Sequence, residues 1–226
     1  MNYFLRFIFI FFIGCIFGWV LEVFYRRIEA KKWVNPGFLT GPYLPIYGFA
    51  FCTLTDFYLI FESMSIHPIF IILIMGISLT IIELIGGILL DKGFGLKLWD
   101  YSNIWGNYKG LICPIFSFFW TLIGSIYYFF IAEHILNLLE WFNNNVSISF
   151  ILGMFFGILI IDFIYSTELL YKVKELLDFN NIELKFEELK LNIKNFKFRR
   201  KGKVLLIGHV KKINFIKENL IKNIKK

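Results

Sequence analysis

Along the 226-residue chain, polar positions do not alternate with apolar ones but are swept into short breaks between long apolar runs. Five runs stand out, at about 4–25, 43–61, 69–90, 111–132 and 147–170. Each is close to the ~20 residues a helix needs to cross the hydrocarbon of a bilayer. A β-barrel would instead show alternation in segments of about ten residues. The pattern predicts an all-α fold: a polytopic helical membrane protein with about five transmembrane helices.

Beyond residue 170 the pattern changes, which divides the chain into a transmembrane helical domain, 1–170, and a basic amphipathic cytoplasmic tail, 171–226. The tail carries 16 of the 24 Lys and Arg residues and only six of the 17 Asp and Glu residues. Within it Ile182, Phe186, Leu189, Ile193 and Phe196 step by four and three, which lines one face of a helix. That face predicts contact with the anionic inner leaflet, with the chain's own loops or with a partner subunit. Nothing beside the tail's charge resembles a base-stacking or groove-reading motif, so nucleic acid is not an expected partner.

Charge also sets the orientation. The first break holds Arg26, Arg27, Lys31 and Lys32, and the third holds Lys92, Lys97 and Lys109, whereas the second and fourth hold no Lys or Arg. Basic loops stay on the cytoplasmic side, so the expected topology has the N-terminus outside and the C-terminus cytoplasmic. Composition agrees with a membrane setting: 58% of residues are hydrophobic, 29 are Phe, and mean hydropathy is +0.65. The expected location is the bacterial cytoplasmic (inner) membrane, multi-pass, with the lipid bilayer as the main partner. Cys15, Cys52 and Cys113 show no Cys-x-x-Cys spacing and read as apolar packing residues.

Apart from Glu168 at the very end of the last run, four acids fall inside the runs: Glu22, Asp56, Glu83 and Asp162. An ionised group near the bilayer centre costs about 2.5–3.5 kcal/mol or more. Glu22 can pair with Arg26 at i, i+4; no Lys or Arg is expected beside the others. Glu22, Glu83 and Asp162 come out at similar depth near the inner side, with Asp56 nearer the outer half. They are candidates for a substrate or ion path, or else hydrogen-bonded carboxyls that hold the helices together.

The inner loops carry the second signal. In Asn35-Pro36-Gly37-Phe38-Leu39-Thr40-Gly41-Pro42-Tyr43-Leu44-Pro45-Ile46-Tyr47-Gly48, glycines relax and prolines restrict the backbone. The second span is expected to open on broken or re-entrant chain, which survives at membrane depth only where protein or water buries it; a plain interfacial turn is the other reading. A weak parallel repeat supports a shared role: Glu22, a loop and Gly41-x-x-x-Pro45-Ile46 match Glu83, a loop and Gly110-x-x-x-Pro114-Ile115.

At these residues the chain resembles the bacterial family of ABC-transporter type IV permeases. The resemblance runs over about residues 10–120. It rests on Gly18-Trp19-Val20-Leu21-Glu22, Asn35, Gly37, Gly41-Pro42 and Pro45-Ile46-Tyr47-Gly48. It continues with Glu83, Trp99-Asp100-Tyr101-Ser102 and Asn107-Tyr108-Lys109-Gly110. Leu98 and Leu111 depart from the family pattern, which has Trp and Arg there. The resemblance implies a membrane subunit of a transporter, and the loop-motif residues become site candidates beside the four acids. No phosphate-binding Gly-x-x-x-x-Gly-Lys-Ser/Thr motif is present in the chain, so ATP hydrolysis would fall to a separate ATPase subunit; another membrane subunit or a second copy is also an expected partner. The rival readings are a membrane-embedded enzyme acting on lipid or envelope intermediates, with a carboxylate as base, and a non-catalytic scaffold. No residue is assigned a catalytic role, and no cofactor or metal is expected, because no metal-ligand spacing is seen.

Overall fold

The computed structural model describes residues 2–180, apart from 32, 34, 63, 65 and 96. The expected amphipathic stripe from Ile182 to Phe196 therefore lies outside the described residues. By internal contacts the chain divides into two units, Met1–Ile164 and Tyr165–Lys226.

The described residues are mostly helical, with no strand among them beyond one isolated bridge between Tyr108 and Ile112. Helix α1 spans Tyr3–Ala30, α2 Pro45–Glu62, α3 Pro68–Phe94, α4 Pro114–Ile126, α5 Ala132–Asn144 and α6 Ser149–Asn180. A π-helical turn, Tyr127–Ile131, joins α4 to α5 as one rod, so the expected fourth run continues well past 132. Asn2 and His67 cap α1 and α3, each accepting a backbone N–H, and Pro68 and Pro114 occupy first-turn positions that need no donor.

Among the described residues four helices are long and apolar enough to cross a membrane: Tyr3–Ile28, Pro68–Phe94, Pro114–Asn144 and Val146–Glu168. The fold is thus the all-α polytopic membrane architecture that the apolar runs predict. The expected second run differs. Its helix is only 18 residues long and is diluted by Thr53, Thr55 and Asp56, and it is not among the four.

The reason lies in loop 1, residues 31–44. The Leu44 N–H donates to the Cys15 carbonyl at 3.0 Å, and Cys15 is 15 residues before the end of α1. At 1.5 Å per residue, loop 1 returns about 22 Å along α1 before α2 begins. From there α2 runs antiparallel to α1, since Asp56 meets Arg6 near the far end. The two helices approach closely: a Cβ on Gly48 would lie 2.6 Å from the Cys15 Sγ, and one on Gly14 would lie 2.8 Å from the Tyr47 carbonyl. All three cysteines are buried and free.

Candidate functional site

Loop 1 and loop 2, residues 95–113, both fold back on the helices, and each is fastened by polar side chains. In loop 1, Asn35 accepts from Trp19 Nε1 at 2.5 Å and donates to the carbonyls of Leu39 and Thr40 at 3.3 and 3.0 Å. A re-entrant segment must satisfy its own backbone, and one amide side chain here satisfies two carbonyls. Gly37 sits at φ +70°, a conformation that favours glycine. Pro45 opens α2, while Pro42 is exposed.

Loop 2 is a compact knot. Asp100 accepts from the Ser102 N–H at 3.0 Å and from its hydroxyl, Asn107 donates to the carbonyls of Ser102 and Ile104, and the Asn107 side-chain oxygen accepts from the Gly110 N–H. These two donors hold the exposed Asp100 carboxyl below its ordinary value. Trp99 donates to the Leu111 carbonyl at 2.9 Å. Each loop is therefore pinned by an indole, Trp19 or Trp99.

The acids fall into three places. Glu22 accepts from Arg26 at 3.0 Å, the i, i+4 pair expected, and from the Tyr47 hydroxyl at 2.8 Å. Glu83, only 4% exposed, accepts from Tyr101 at 3.0 Å and from Trp120 Nε1 at 2.8 Å. These two sites adjoin: the Tyr47 and Trp120 rings lie 6.4 Å apart. Burial and the neighbouring Glu83 carboxylate push the Tyr101 phenol well above its ordinary value, so it stays a donor. Its ring also stacks on Phe116 at 4.4 Å.

Asp162, 8% exposed, grips loop 1 from α6. It accepts from the Thr40 N–H at 3.0 and 3.3 Å, from the Thr40 hydroxyl, from the Gly41 N–H at 2.8 Å and from the Tyr43 hydroxyl at 2.7 Å. Asp56 stands apart at the far end of α2. Contrary to the expectation that no basic residue reaches it, Asp56 pairs with Arg6 at 3.0 Å and accepts from Tyr3 at 3.1 Å. Arg6 belongs to the first apolar run, and antiparallel packing brings it beside α2.

The partners Trp120, Thr40, Tyr43 and Arg6 were not legible as site residues. Trp120 carried one usable signal, because an indole in mid-span must find an acceptor for its N–H. Among the described residues no cluster of three or more His, Cys, Asp or Glu gathers as a metal site.

Long apolar helices around two inserted loops and buried, hydrogen-bonded acids define a multi-pass helical membrane protein. Residues 9–167 match the family described as "Putative ABC-transporter type IV", and the chain belongs to that family. The match extends past the expected 10–120 to residue 167, within α6. No curated protein matches the chain, and no solved structure does. The family and the apolar helices together fit a membrane component of a transporter.

Proposed function

We propose that this chain is the permease-like subunit of an ABC-type transporter in the bacterial cytoplasmic membrane, with Glu22, Glu83 and Asp162 and the two inserted loops lining its substrate or cation path. Loop 1 and α2 together make a fifth crossing, which restores the alternation of basic and bare loops and leaves the N-terminus outside and the C-terminus cytoplasmic. ATP hydrolysis belongs to a separate subunit, which the inner loops and the basic tail would meet.

The observation that carries this reading is the insertion of both loops against membrane acids. Non-helical backbone at membrane depth lines cavities in transporters, where its polar groups meet cargo. The Glu22–Tyr47–Trp120–Glu83–Tyr101 group offers carboxylates, phenols and aromatic faces in one place, a set suited to a cation. Asp56, tied to Arg6 and Tyr3, belongs to the other end and serves as an ion pair between α1 and α2.

Purification from native membranes in mild detergent tests the reading. The expected result is a stoichiometric ATPase partner whose hydrolysis falls when Glu83→Gln is introduced. Purification of the chain without any nucleotide-hydrolysing partner, or hydrolysis indifferent to Glu83→Gln, would overturn it.

A further inference from the structure

Four of the donors around Asp162 come from one four-residue stretch, 40–43, whereas the carboxylate comes from more than a hundred residues away. Two successive backbone N–H groups and two hydroxyls converge on one point, the arrangement by which backbone nests hold anions. The stretch leads directly into the N-terminus of α2, the end of a helix that favours negative charge.

The sequence is shaped for this. A Cβ on Gly41 would lie 2.3 Å from Tyr43 Cε1 and Cζ and 2.5 Å from its hydroxyl oxygen, so only glycine lets the amide and the phenol point at the same oxygen. The cradle thus belongs to loop 1 itself. Asp162 fills it from a helix otherwise seated by aromatic contacts, with Phe155 against Phe12 and Tyr43, and Phe163 against Phe38 and Phe94. Thr40 is exposed while Asp162 is buried, so the cradle borders accessible surface on one side.

We propose that Thr40, Gly41 and Tyr43 form an anion-binding site for a carboxylate or phosphate group, and that Asp162 occupies it as an internal stand-in that an incoming anion displaces. This rests on the transporter reading only in making that anion part of a cargo. The cargo is then a molecule with an anionic end, held at the cradle. Displacing Asp162 also removes the polar hold of α6 on loop 1 and leaves only the aromatic contacts of Phe155 and Phe163, so cargo arrival and loosening of the helix become one event.

The test uses the full chain in detergent, with thermal unfolding followed by tryptophan fluorescence. Asp162→Ala empties the cradle and lowers the unfolding temperature by several degrees. Sodium acetate or inorganic phosphate at tens of millimolar is expected to recover about half or more of that loss, as binding to the folded state requires. Sodium chloride at equal ionic strength should not, and the parent protein, where the anion must first displace Asp162, should respond far less than Asp162→Ala.

Asp162→Ala combined with Gly41→Ala should lose the rescue. If Asp162→Ala does not fold, Asp162→Asn, which keeps one acceptor, is tested for the same anion response. Nanodiscs of neutral lipid against discs containing phosphatidic acid separate the sources. Rescue by phosphatidic acid alone assigns the site to a lipid headgroup, and rescue by free phosphate or acetate assigns it to a soluble anion. No rescue by any anion, or rescue that survives Gly41→Ala, overturns the site. The ATPase co-purification fails or succeeds independently, so a working cradle without a partner would sink the transporter reading alone.

Discussion

Gly18→Ala tests how α1 and α2 are joined beneath Glu22. A Cβ at this position would lie 2.2 Å from both Cβ and Cγ of Tyr47 and 2.7 Å from its Cδ2, whereas carbon atoms rest at about 3.5–4.0 Å. Tyr47 must withdraw by more than about 1 Å, judged against that contact distance. The α2 backbone has little freedom to follow, because the Leu44 N–H holds it to the Cys15 carbonyl and Gly14 and Gly48 bring the helices into near contact. Overpacking of this kind costs about 1–3 kcal/mol. Moving the phenol off Glu22 also forfeits a hydrogen bond to a charged acceptor, worth about 1.5–3 kcal/mol. Both losses act through one side chain and do not add in full, and alanine returns about 1 kcal/mol of helix propensity. The net expectation is about 2 kcal/mol, a fall of roughly 4–8 °C for a chain of this length. Thermal unfolding in mild detergent reads it, and a cycle with Tyr47→Ala identifies the cause. In the Tyr47→Ala background Gly18→Ala should cost about 0.5 kcal/mol or less. An unchanged unfolding temperature for Gly18→Ala, or the same cost with and without the Tyr47 ring, would refute the packing account.

Other substitutions separate the remaining contacts. Trp120→Phe and Tyr101→Phe each remove one donor from the buried Glu83 and should destabilise by about 1–3 kcal/mol; a double-mutant cycle should show coupling, and additive behaviour would deny a shared acceptor. Arg6→Met should cost only about 1 kcal/mol, because the Arg6 and Asp56 side chains are each 28% exposed and solvent weakens the pair; a loss several times larger in thermal unfolding would mean a drier pair. Asn35→Ala leaves the Trp19 indole and two loop carbonyls without their partner, so maleimide labelling of a cysteine placed at Leu39 should rise, and unchanged labelling would show that the loop holds its place by other means. Asp100 is lowered in the folded state, so its contribution is complete above the unfolded value of about 3.9 and is lost as pH falls through the lower folded value. The stability difference between the parent and Asp100→Asn should therefore stay level from about pH 8 to 5 and shrink only below about pH 4; a change near neutrality would contradict the assignment.

Much of the fold was legible because lipid imposes a simple rule: runs of ~20 apolar residues must become helices that satisfy their own backbone. The Gly/Pro content of residues 35–48 also showed that the second run opens on non-helical chain. What it could not show is the depth of insertion, which the Leu44–Cys15 hydrogen bond and the close approach at Gly14 and Gly48 fix. The acids were found from their cost in hydrocarbon, but their partners were not. Arg6 lay near the terminus and looked like a flanking charge until α2 came antiparallel to α1, and two of the four Asp162 donors are backbone N–H groups, which have no signature in sequence. Glu22 and Asp162 were expected to share a site on depth alone, yet their hydrogen bonds take one to Arg26 and Tyr47 and the other to Thr40, Gly41 and Tyr43.

The weak repeat gains a physical content from these contacts. In each unit a long helix carries an acid eight to eleven residues before its end, Glu22 ahead of Ala30 and Glu83 ahead of Phe94. In each, a loop folds back under an indole, Trp19 on Asn35 or Trp99 on the Leu111 carbonyl, and a proline opens the next helix. That next helix then returns an aromatic donor to the acid, Tyr47 to Glu22 and Trp120 to Glu83. A phenol or indole is suited to the task, since its body packs against apolar neighbours while its one polar tip meets a carboxylate. The units differ where charge is balanced: Glu22 has Arg26, whereas the described residues place only neutral donors on Glu83. On the proposed transporter reading, this unequal charge balance singles out Glu83, more than Glu22, as the acid that a cation or proton would neutralise.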